Sequence, residues 1–381
     1  MAESQRSFRE TSAIAAPVAA GGFGFTAASA RRLYIFSGIS LITVGLLFGD
    51  LFAVFTLHQN AALQGESLMA ACRAVAHSNP DGVRQAVAQL GSLLEDRGTK
   101  VDAHVHIIGA GYLALLLGLM QPYIVLSPGS KRTCAWLFAA GSVLFPIGIF
   151  LIHYVGLSYS PFSSLGWASI LADSAGALLA IVLAAEAWGF SKFLRHPRPT
   201  EPEIPSDNAT PGRALLTGGA VLILLGFLHG AYYAGAFLYR HEAMESAILG
   251  KMIDASTKGN LDAAAAEVQN FGNLAGERAV NIAAHSHIIE FGLLGMLLSF
   301  VQPFVFLSET WRRRWVKIFL GGSAILPVFV LLELKLGLFA GGIADVGGLM
   351  VLVSLIGMLV GILRYTGSLD LHEDSSAGRA L

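Results

Sequence analysis

Two His-x-His pairs stand at the beginnings of long apolar stretches and are the first candidates for chemistry. His104 and His106 form the first pair, and His285 and His287 form the second, 181 positions later. Imidazole is the commonest metal ligand in proteins. Residues two apart on a regular helix point about 200° from one another, so one metal does not readily take both members of a pair. The sequence therefore predicts four cofactor- or metal-binding histidines that face two directions in each copy.

Three carboxylates and a further histidine are predicted near the same depth and extend this set of candidate metal ligands. They are Asp173, Asp345, Glu290 and His153. Histidine with carboxylate and without sulfur suits iron, copper or zinc, whereas one histidine on each axial side suits a low-spin haem such as haem b. An aspartate can ligate the metal or fix the tautomer of a ligating histidine. Simpler interpretations stay open: the aspartates can complement helix dipoles, and the histidines can bond to loops at the membrane interface.

Composition places these residues in a membrane protein. The chain has 381 residues, of which 54% are hydrophobic and 13% are charged, whereas soluble proteins carry about 25% charged residues. Apolar runs of about 20 residues match the length of a membrane-spanning helix. The predicted spans are 33–57, 103–126, 133–156, 165–188, 215–239, 283–307, 315–338 and 341–364. The predicted fold class is all-α, a polytopic protein with eight transmembrane helices in the lipid bilayer, and the net charge of −1 gives no indication of nucleic-acid binding.

Basic residues lie on one side of the predicted spans and set their orientation. Arg31 and Arg32 precede the first span, and the basic stretch 311–317 separates the sixth from the seventh. Because cytoplasmic loops carry an excess of Lys and Arg, we predict that both termini are cytoplasmic and that the protein resides in a bacterial inner membrane. The opposite side has two longer segments, 59–100 and 240–280, each predicted to be a small extracytoplasmic helical hairpin.

An internal repeat organises the chain. The offset of 181 relates many positions besides the histidines, and further along an offset of 172 pairs Asp173 with Asp345. Each repeat has four spans, so the halves share one orientation and we expect a pseudo-twofold axis along the membrane normal. The predicted domains are a flexible cytoplasmic tail (1–32), the first four-helix repeat (33–188), a cytoplasmic linker (189–214), the second four-helix repeat (215–364) and a cytoplasmic tail (365–381).

Glycines recur at a spacing of four in the first span of each repeat. They are Gly45 and Gly49 in the first copy, and Gly226 and Gly230 in the second. Small residues at this spacing let helix backbones approach closely. Glycine can also clear room for a flat cofactor, so both interpretations stay open.

The stretch His-x-His-x4-Gly, from His104 to Gly111 and from His285 to Gly292, resembles helices of known haem- and copper-binding membrane proteins. These are proteins related to haem–copper oxidase subunit I and membrane proteins of the nitric-oxide response. The resemblance implies haem or copper on the paired histidines. The two tandem four-helix bundles are also similar in architecture to haem A synthase, although the Glu-x-x-His-Arg motif of that family is absent. Oxygen or nitric oxide reduction is not implied, because the fuller histidine set of a catalytic oxidase subunit is absent.

These patterns lead to a functional hypothesis with two alternatives. The hypothesis is an integral membrane haem- or metal-binding protein with a redox or electron-transfer role, such as an oxidoreductase, whose cofactor lies near the extracytoplasmic side. A redox partner or a larger membrane complex would then exchange electrons with it. The first alternative is a transporter or channel for a proton, a metal ion or a small solute, to which the deeper Asp50 and His229 point. The second is a non-catalytic subunit of a respiratory or photosynthetic complex.

Overall fold

All regular structure in the computed structural model is helical. The model describes residues 29–53, 58–155, 167–195 and 209–364, and these residues contain no strand. The helices are α1 (Ala30–Phe52), α2 (His58–Ala76), α3 (Pro80–Met120), α4 (Pro128–Val155), α5 (Trp167–Arg195), α6 (Ala209–Tyr233), α7 (Tyr239–Thr257), α8 (Leu261–Val301), α9 (Glu309–Leu336) and α10 (Leu338–Leu363). Short 3-10 turns follow α3 and α8, and a π-helical turn joins α6 to α7.

Eight of the described helices are long and apolar enough to cross a membrane, which confirms the predicted fold class. The two others, α2 and α7, are the first arms of the predicted hairpins. The predicted tails at 1–28 and 365–381 and most of the linker, 196–208, lie outside the described residues. The orientation and the bacterial inner membrane stay predictions. Below, the "hairpin end" is the end of the bundle that carries α2 and α7, and the "linker end" is the end where α5 stops and α6 begins.

The second arm of each hairpin continues without a break into a membrane span. Helices α3 and α8 each have 41 residues, which at 1.5 Å per residue is about 60 Å, twice the thickness of a bilayer core. Both begin in the same way: Asn79 accepts a hydrogen bond from the Gly82 amide, and Asn260 accepts one from the Ala263 amide. An Asn cap satisfies an amide that has no partner inside the helix. The predicted boundaries near 103 and 283 are therefore not helix starts.

The two hairpins pack on each other rather than standing apart. Helix α2 contacts α7 and α8. Their shared apolar core consists of Cys72, Met252, Ala255, Ala264 and Val268. The hairpin end is thus one small helical layer above the membrane-spanning bundle, and both repeats contribute to it.

The two repeats meet at equivalent helices, α2 with α7 and α3 with α8, but also through different surfaces, so the expected pseudo-twofold packing is followed only in part. Helix α1 of the first repeat packs on α10 of the second, and α2 packs on α8. The reverse pairs would be α6 on α5 and α7 on α3, and they show no comparable packing in the described part of the chain. A twofold axis requires one surface to meet its own copy. Here the main apolar core joins α1 and α3 to α8, α9 and α10 and includes Leu215 near the start of α6, whereas Leu224 and Phe227 farther along α6 are exposed.

Candidate functional site

The imidazole of His104 lies in a seat made by two glycines of α1. Its Nδ1 lies 2.7 Å from the carbonyl oxygen of Gly45. A carbonyl only accepts, so Nδ1 carries a hydrogen; in a neutral imidazole Nε2 then keeps its lone pair. A Cβ on Gly49 would lie 2.4 Å from Cε1 of His104, so any larger residue there would displace the ring. The small residues thus make room for the histidine itself.

The second repeat reproduces this seat. Nδ1 of His285 lies 3.0 Å from the carbonyl oxygen of Gly226, and a Cβ on Gly230 would again lie 2.4 Å from Cε1. The second repeat adds a neighbour, because the ring centroid of His229 lies 6.4 Å from that of His285. Nε2 of His229 lies 3.4 Å from the carbonyl oxygen of Asn281. The first histidine of each pair is therefore a repeated contact between α1 and α3, or between α6 and α8.

The second histidines of the two pairs have different environments. The ring of His287 stacks on Phe291 with centroids 5.7 Å apart, and its Nδ1 is buried without a hydrogen-bond partner. His106 is exposed; its Nδ1 lies 2.7 Å from the Asp102 carbonyl oxygen and its ring meets the edge of Phe145. The histidines of each pair do point in different directions, as predicted. Only in the second repeat does the second one point into the protein.

A small cavity between the repeats brings together two of the predicted histidines. It has a volume of about 180 Å³, and His104, His287 and Asp50 are the ionisable residues in its lining. The carboxylate of Asp50 lies against Gly348, where a Cβ would be 3.4 Å from Oδ1. Asp345 is within electrostatic reach of Asp50, as His104 is of His287. The cavity lies toward the hairpin end, and the rest of its wall is mostly apolar.

Of the other predicted ligands, none whose side chain the structure describes lines this cavity. Asp173 is exposed on α5, and Asp345 is exposed at the rim on α10. Glu290 is half-buried, and its backbone carbonyl accepts a hydrogen bond of 2.9 Å from the Tyr112 hydroxyl. His153 is in the last turn of α4, but its side chain lies outside the described part of the structure. Among the predicted ligands with described side chains, the set is therefore scattered, and only His104 and His287 share a site.

The size and composition of the cavity limit what it can hold. Within the described ranges, no three His, Cys, Asp or Glu side chains form a ready metal site. Pockets that enclose a drug-sized ligand have volumes of about 300–1,000 Å³, so haem b does not fit in 180 Å³ with the side chains as they stand. A single metal ion is small enough. Two imidazoles and a carboxylate are an acceptable donor set for iron, copper or zinc.

A second polar cluster lies at the linker end and was missed from the sequence. Glu186 of α5 is only 1% exposed. Its Oε1 accepts a hydrogen bond of 2.8 Å from the Tyr34 hydroxyl, and its Oε2 accepts one of 3.1 Å from the Gln121 side chain. The Lys131 ammonium donates to the Gln121 carbonyl. The offset of 172 places Met358 at the corresponding position of the second repeat. The replacement of a Met by a Glu between the two copies was the sequence signal that could have revealed this cluster.

A third polar cluster lies where α6 meets the hairpin end. The Tyr233 hydroxyl and Nδ1 of His241 are 3.2 Å apart, and Nε2 of His241 is 3.7 Å from Glu277. Tyr233 and His241 are both buried. The first repeat has Phe52 and Asn60 at the corresponding positions. The cluster is thus a property of the second repeat alone, and the same comparison of copies would have found it.

Comparison with known proteins finds no matching family model, no matching curated protein and no matching solved structure. The chain is therefore described by its own geometry, as an integral membrane protein built from two unlike copies of one helical unit, and its resemblance to haem- and copper-binding proteins stays a prediction.

Proposed function

We propose that this protein binds one transition-metal ion, iron, copper or zinc, between its two repeats. The ligands in this proposal are Nε2 of His104, Nδ1 of His287 and the carboxylate of Asp50. Three protein ligands leave a position open for water or a further donor, as in catalytic metal sites. Small rotations of the side chains into the cavity are needed, because the three groups line it without touching.

The observation that carries the proposal is the state of the two imidazoles. His104 donates its Nδ1 hydrogen to a backbone carbonyl and leaves Nε2 free, which is the usual arrangement of a metal-ligating histidine. Nδ1 of His287 is buried in the same region with no hydrogen-bond partner. A buried polar atom without a partner is uncommon and is often explained by an ion or a water. A metal would satisfy both nitrogens at once.

A redox role follows if the ion is iron or copper. The site lies near the hairpin end, so a soluble electron partner or a larger membrane complex would approach the hairpin layer. Burial among apolar side chains and the charge of Asp50 would tune the potential of the metal. Zinc has no redox chemistry, so the identity of the metal decides between electron transfer and a structural or Lewis-acid role.

Transport of a cation or a proton is the second candidate, and the position of the site favours it. Binding sites of transporters with internal repeats lie at the interface of the repeats. The apolar core argues against an open path, because Ile39, Ile42 and Leu115 are fully buried on the linker side of the cavity. Uptake by reconstituted vesicles would separate this alternative from a fixed metal site.

The test is the metal content of the purified full-length protein, with its optical and electron paramagnetic resonance spectra. We expect about one metal ion per chain in the wild type, with a ligand-field or charge-transfer signature for copper or iron. The variants His104→Ala, His287→Ala and Asp50→Asn should each reduce the metal affinity about 10-fold or more, since ligands and their partners have effects of at least that size.

The repeat supplies matched controls. His285→Ala removes the counterpart of His104, and His106→Ala removes the counterpart of His287, so both should keep the metal. A wild-type protein without bound metal, even after incubation with Fe²⁺, Cu²⁺ and Zn²⁺, would overturn the proposal. Equal loss in all four histidine variants would overturn the asymmetric site and would support a separate centre in each repeat.

A further inference from the structure

The contact between the two repeats joins two different surfaces. Each repeat therefore keeps an uncovered copy of the surface that the other repeat uses in this contact. In the contact, the α1 side of one repeat meets the α10 side of the other. The second repeat has its own copy of the first surface, on α6, and the first repeat has its own copy of the second surface, on α5. The described helices of the chain do not bring these two copies together. A contact of this kind between unlike surfaces can repeat until a ring closes.

Both uncovered surfaces carry exposed groups, and two of these, Phe227 and His106, have counterparts that line the cavity between the repeats. On α6, Leu224, Phe227 and Leu228 are 59–64% exposed. Phe227 corresponds to Leu46, which lines the cavity between the repeats. Lipid can cover these apolar side chains, so their exposure alone does not identify a partner.

The polar residues of the other surface are more informative. His106 on α3 and Asp173 on α5 are exposed, and they are the counterparts of His287 and Asp345. His287 lines the cavity and Asp345 lies within reach of Asp50. Ionisable groups in spans rarely face lipid and usually meet a polar partner or a cavity. An equivalent contact would enclose His106 as His287 is enclosed, and it would place Asp173 at the rim of a cavity, as Asp345 is.

We infer that a second copy of this chain covers these surfaces, with α6 of one subunit against α5 of the next. The contact would repeat the α1–α10 contact that already joins the two halves of one chain. His285 and His229 of one subunit would then lie near His106 of the partner subunit. Ala231 stands where the first repeat has Asp50, so the intersubunit cavity lacks that carboxylate and we assign it no metal. The inference therefore stands apart from the metal proposal.

Internal geometry supplies the contact pair for a crosslinking test. Within one chain, a Cβ on Gly348 would lie 3.4 Å from the Asp50 carboxylate. The corresponding pair between subunits is Gly176 of one copy and Ala231 of the other. Ala231 is exposed, and a Cβ on Gly176 would meet only the Phe145 ring edge, at 3.3 Å. Cysteine is therefore tolerated at both positions.

The experiment joins two differently tagged full-length chains in one membrane. Both carry Cys72→Ala and Cys134→Ala; one also carries Gly176→Cys and the other Ala231→Cys. We expect an oxidised heterodimer on a non-reducing gel and little product when either variant is expressed alone. Asp50→Cys with Gly348→Cys in one chain is the positive control, because it should form an intrachain disulfide.

Native mass spectrometry of the wild type gives an independent reading. We expect a closed dimer or trimer, and we expect Ala231→Trp to shift it to the mass of one chain, because the bulky side chain would separate the surfaces. A monomeric wild type overturns the inference. The inference is also overturned if no heterodimer forms although the intrachain control does. The same holds if the only crosslinked dimer joins two chains that both carry Gly176→Cys. Loss of metal has no bearing on these outcomes.

Discussion

The two repeats share a scaffold and differ in chemistry. Each seats a histidine of its long helix on a glycine of its first span, with the same contact in both copies. The first repeat adds Asp50 toward the hairpin end and Glu186 toward the linker end. The second has Ala231 and Met358 at those positions. Duplication has kept the backbone packing and changed which side chains are polar.

The difference indicates that one set of residues determines the helix packing and another set forms the candidate sites. The glycines and the first histidines behave as structural parts, because both copies retain them in one geometry. His287, Asp50 and Glu186 differ in environment or identity between the copies, and they are the residues around which sites form. Four sets of substitutions test this division, and the first has the largest expected effect.

Met358→Glu should be the most damaging change. It places a carboxylate in the second repeat where Leu215 replaces the hydroxyl of Tyr34, so the new charge lacks that donor. The Gln302 amide, 3.8 Å from the Met358 sulfur, is a donor left near it, and a buried charge that lacks a partner costs about 3–5 kcal/mol. The free energy of unfolding in mixed micelles measures the loss, and a cost below 1 kcal/mol would contradict the apolar character of this core. Adding Leu215→Tyr should recover part of the stability.

Glu186→Met makes the reverse change and should cost less. It leaves the Tyr34 hydroxyl and the Gln121 amide without their acceptor. Both groups are neutral, and a buried neutral group left unpaired costs from about 1 kcal/mol, less than a charged one, so we expect a total of about 2 kcal/mol. The double variant Tyr34→Leu with Glu186→Met copies the second repeat and should be more stable than Glu186→Met alone. A double-mutant cycle measures this coupling. Strictly additive effects would show that the hydrogen bond between Tyr34 and Glu186 does not contribute.

Gly49→Ala and Gly230→Ala should have equal effects on stability and unequal effects on the proposed metal. Each new methyl group would lie 2.4 Å from an imidazole carbon, and overpacking of this kind costs about 1–3 kcal/mol. Only Gly49→Ala displaces a proposed ligand, so only that variant should lose metal. Thermal unfolding and metal analysis on the same samples check both statements. Equal metal loss would contradict the assignment.

Tyr233→Phe should have the smallest effect. It removes the hydrogen bond to His241, which is worth about 1 kcal/mol. The matched change Phe52→Tyr adds a hydroxyl near the level of Asn60, whose buried Nδ2 has no acceptor, and should cause no loss of stability. The comparison is made by unfolding in mixed micelles. Equal destabilisation by both changes would show that the hydroxyl of Tyr233 does not matter.

The sequence predicted the architecture well because its signals are local. Hydropathy located all eight spans, and the constant offset revealed the duplication. Helix continuity was missed at α3 and α8, because a polar helix outside the membrane and an apolar helix within it differ in composition although the backbone is unbroken. Residues 103 and 283 mark a change of solvent and not a change of structure.

The site was predicted only in part, because its residues come from non-equivalent positions. His104 and His287 were both candidates, but the matched pairs implied two equal centres. Which two histidines share a cavity depends on how α1 packs against α10. This is a long-range contact that the repeat offset does not predict. Glu186 was missed because a single carboxylate near the basic end of α5 resembles an ordinary interfacial residue.

The unbroken course of α3 gives the protein a mechanical link. This helix carries hairpin residues at one end and His104 farther along, with no hinge or proline between them. A partner that binds the hairpin layer and tilts α3 would therefore move the His104 imidazole as well. A tilt of α8 would move His287 in the same way. Binding at the hairpin layer would then be transmitted to the cavity inside the bundle by two continuous helices, without a rearrangement of any loop.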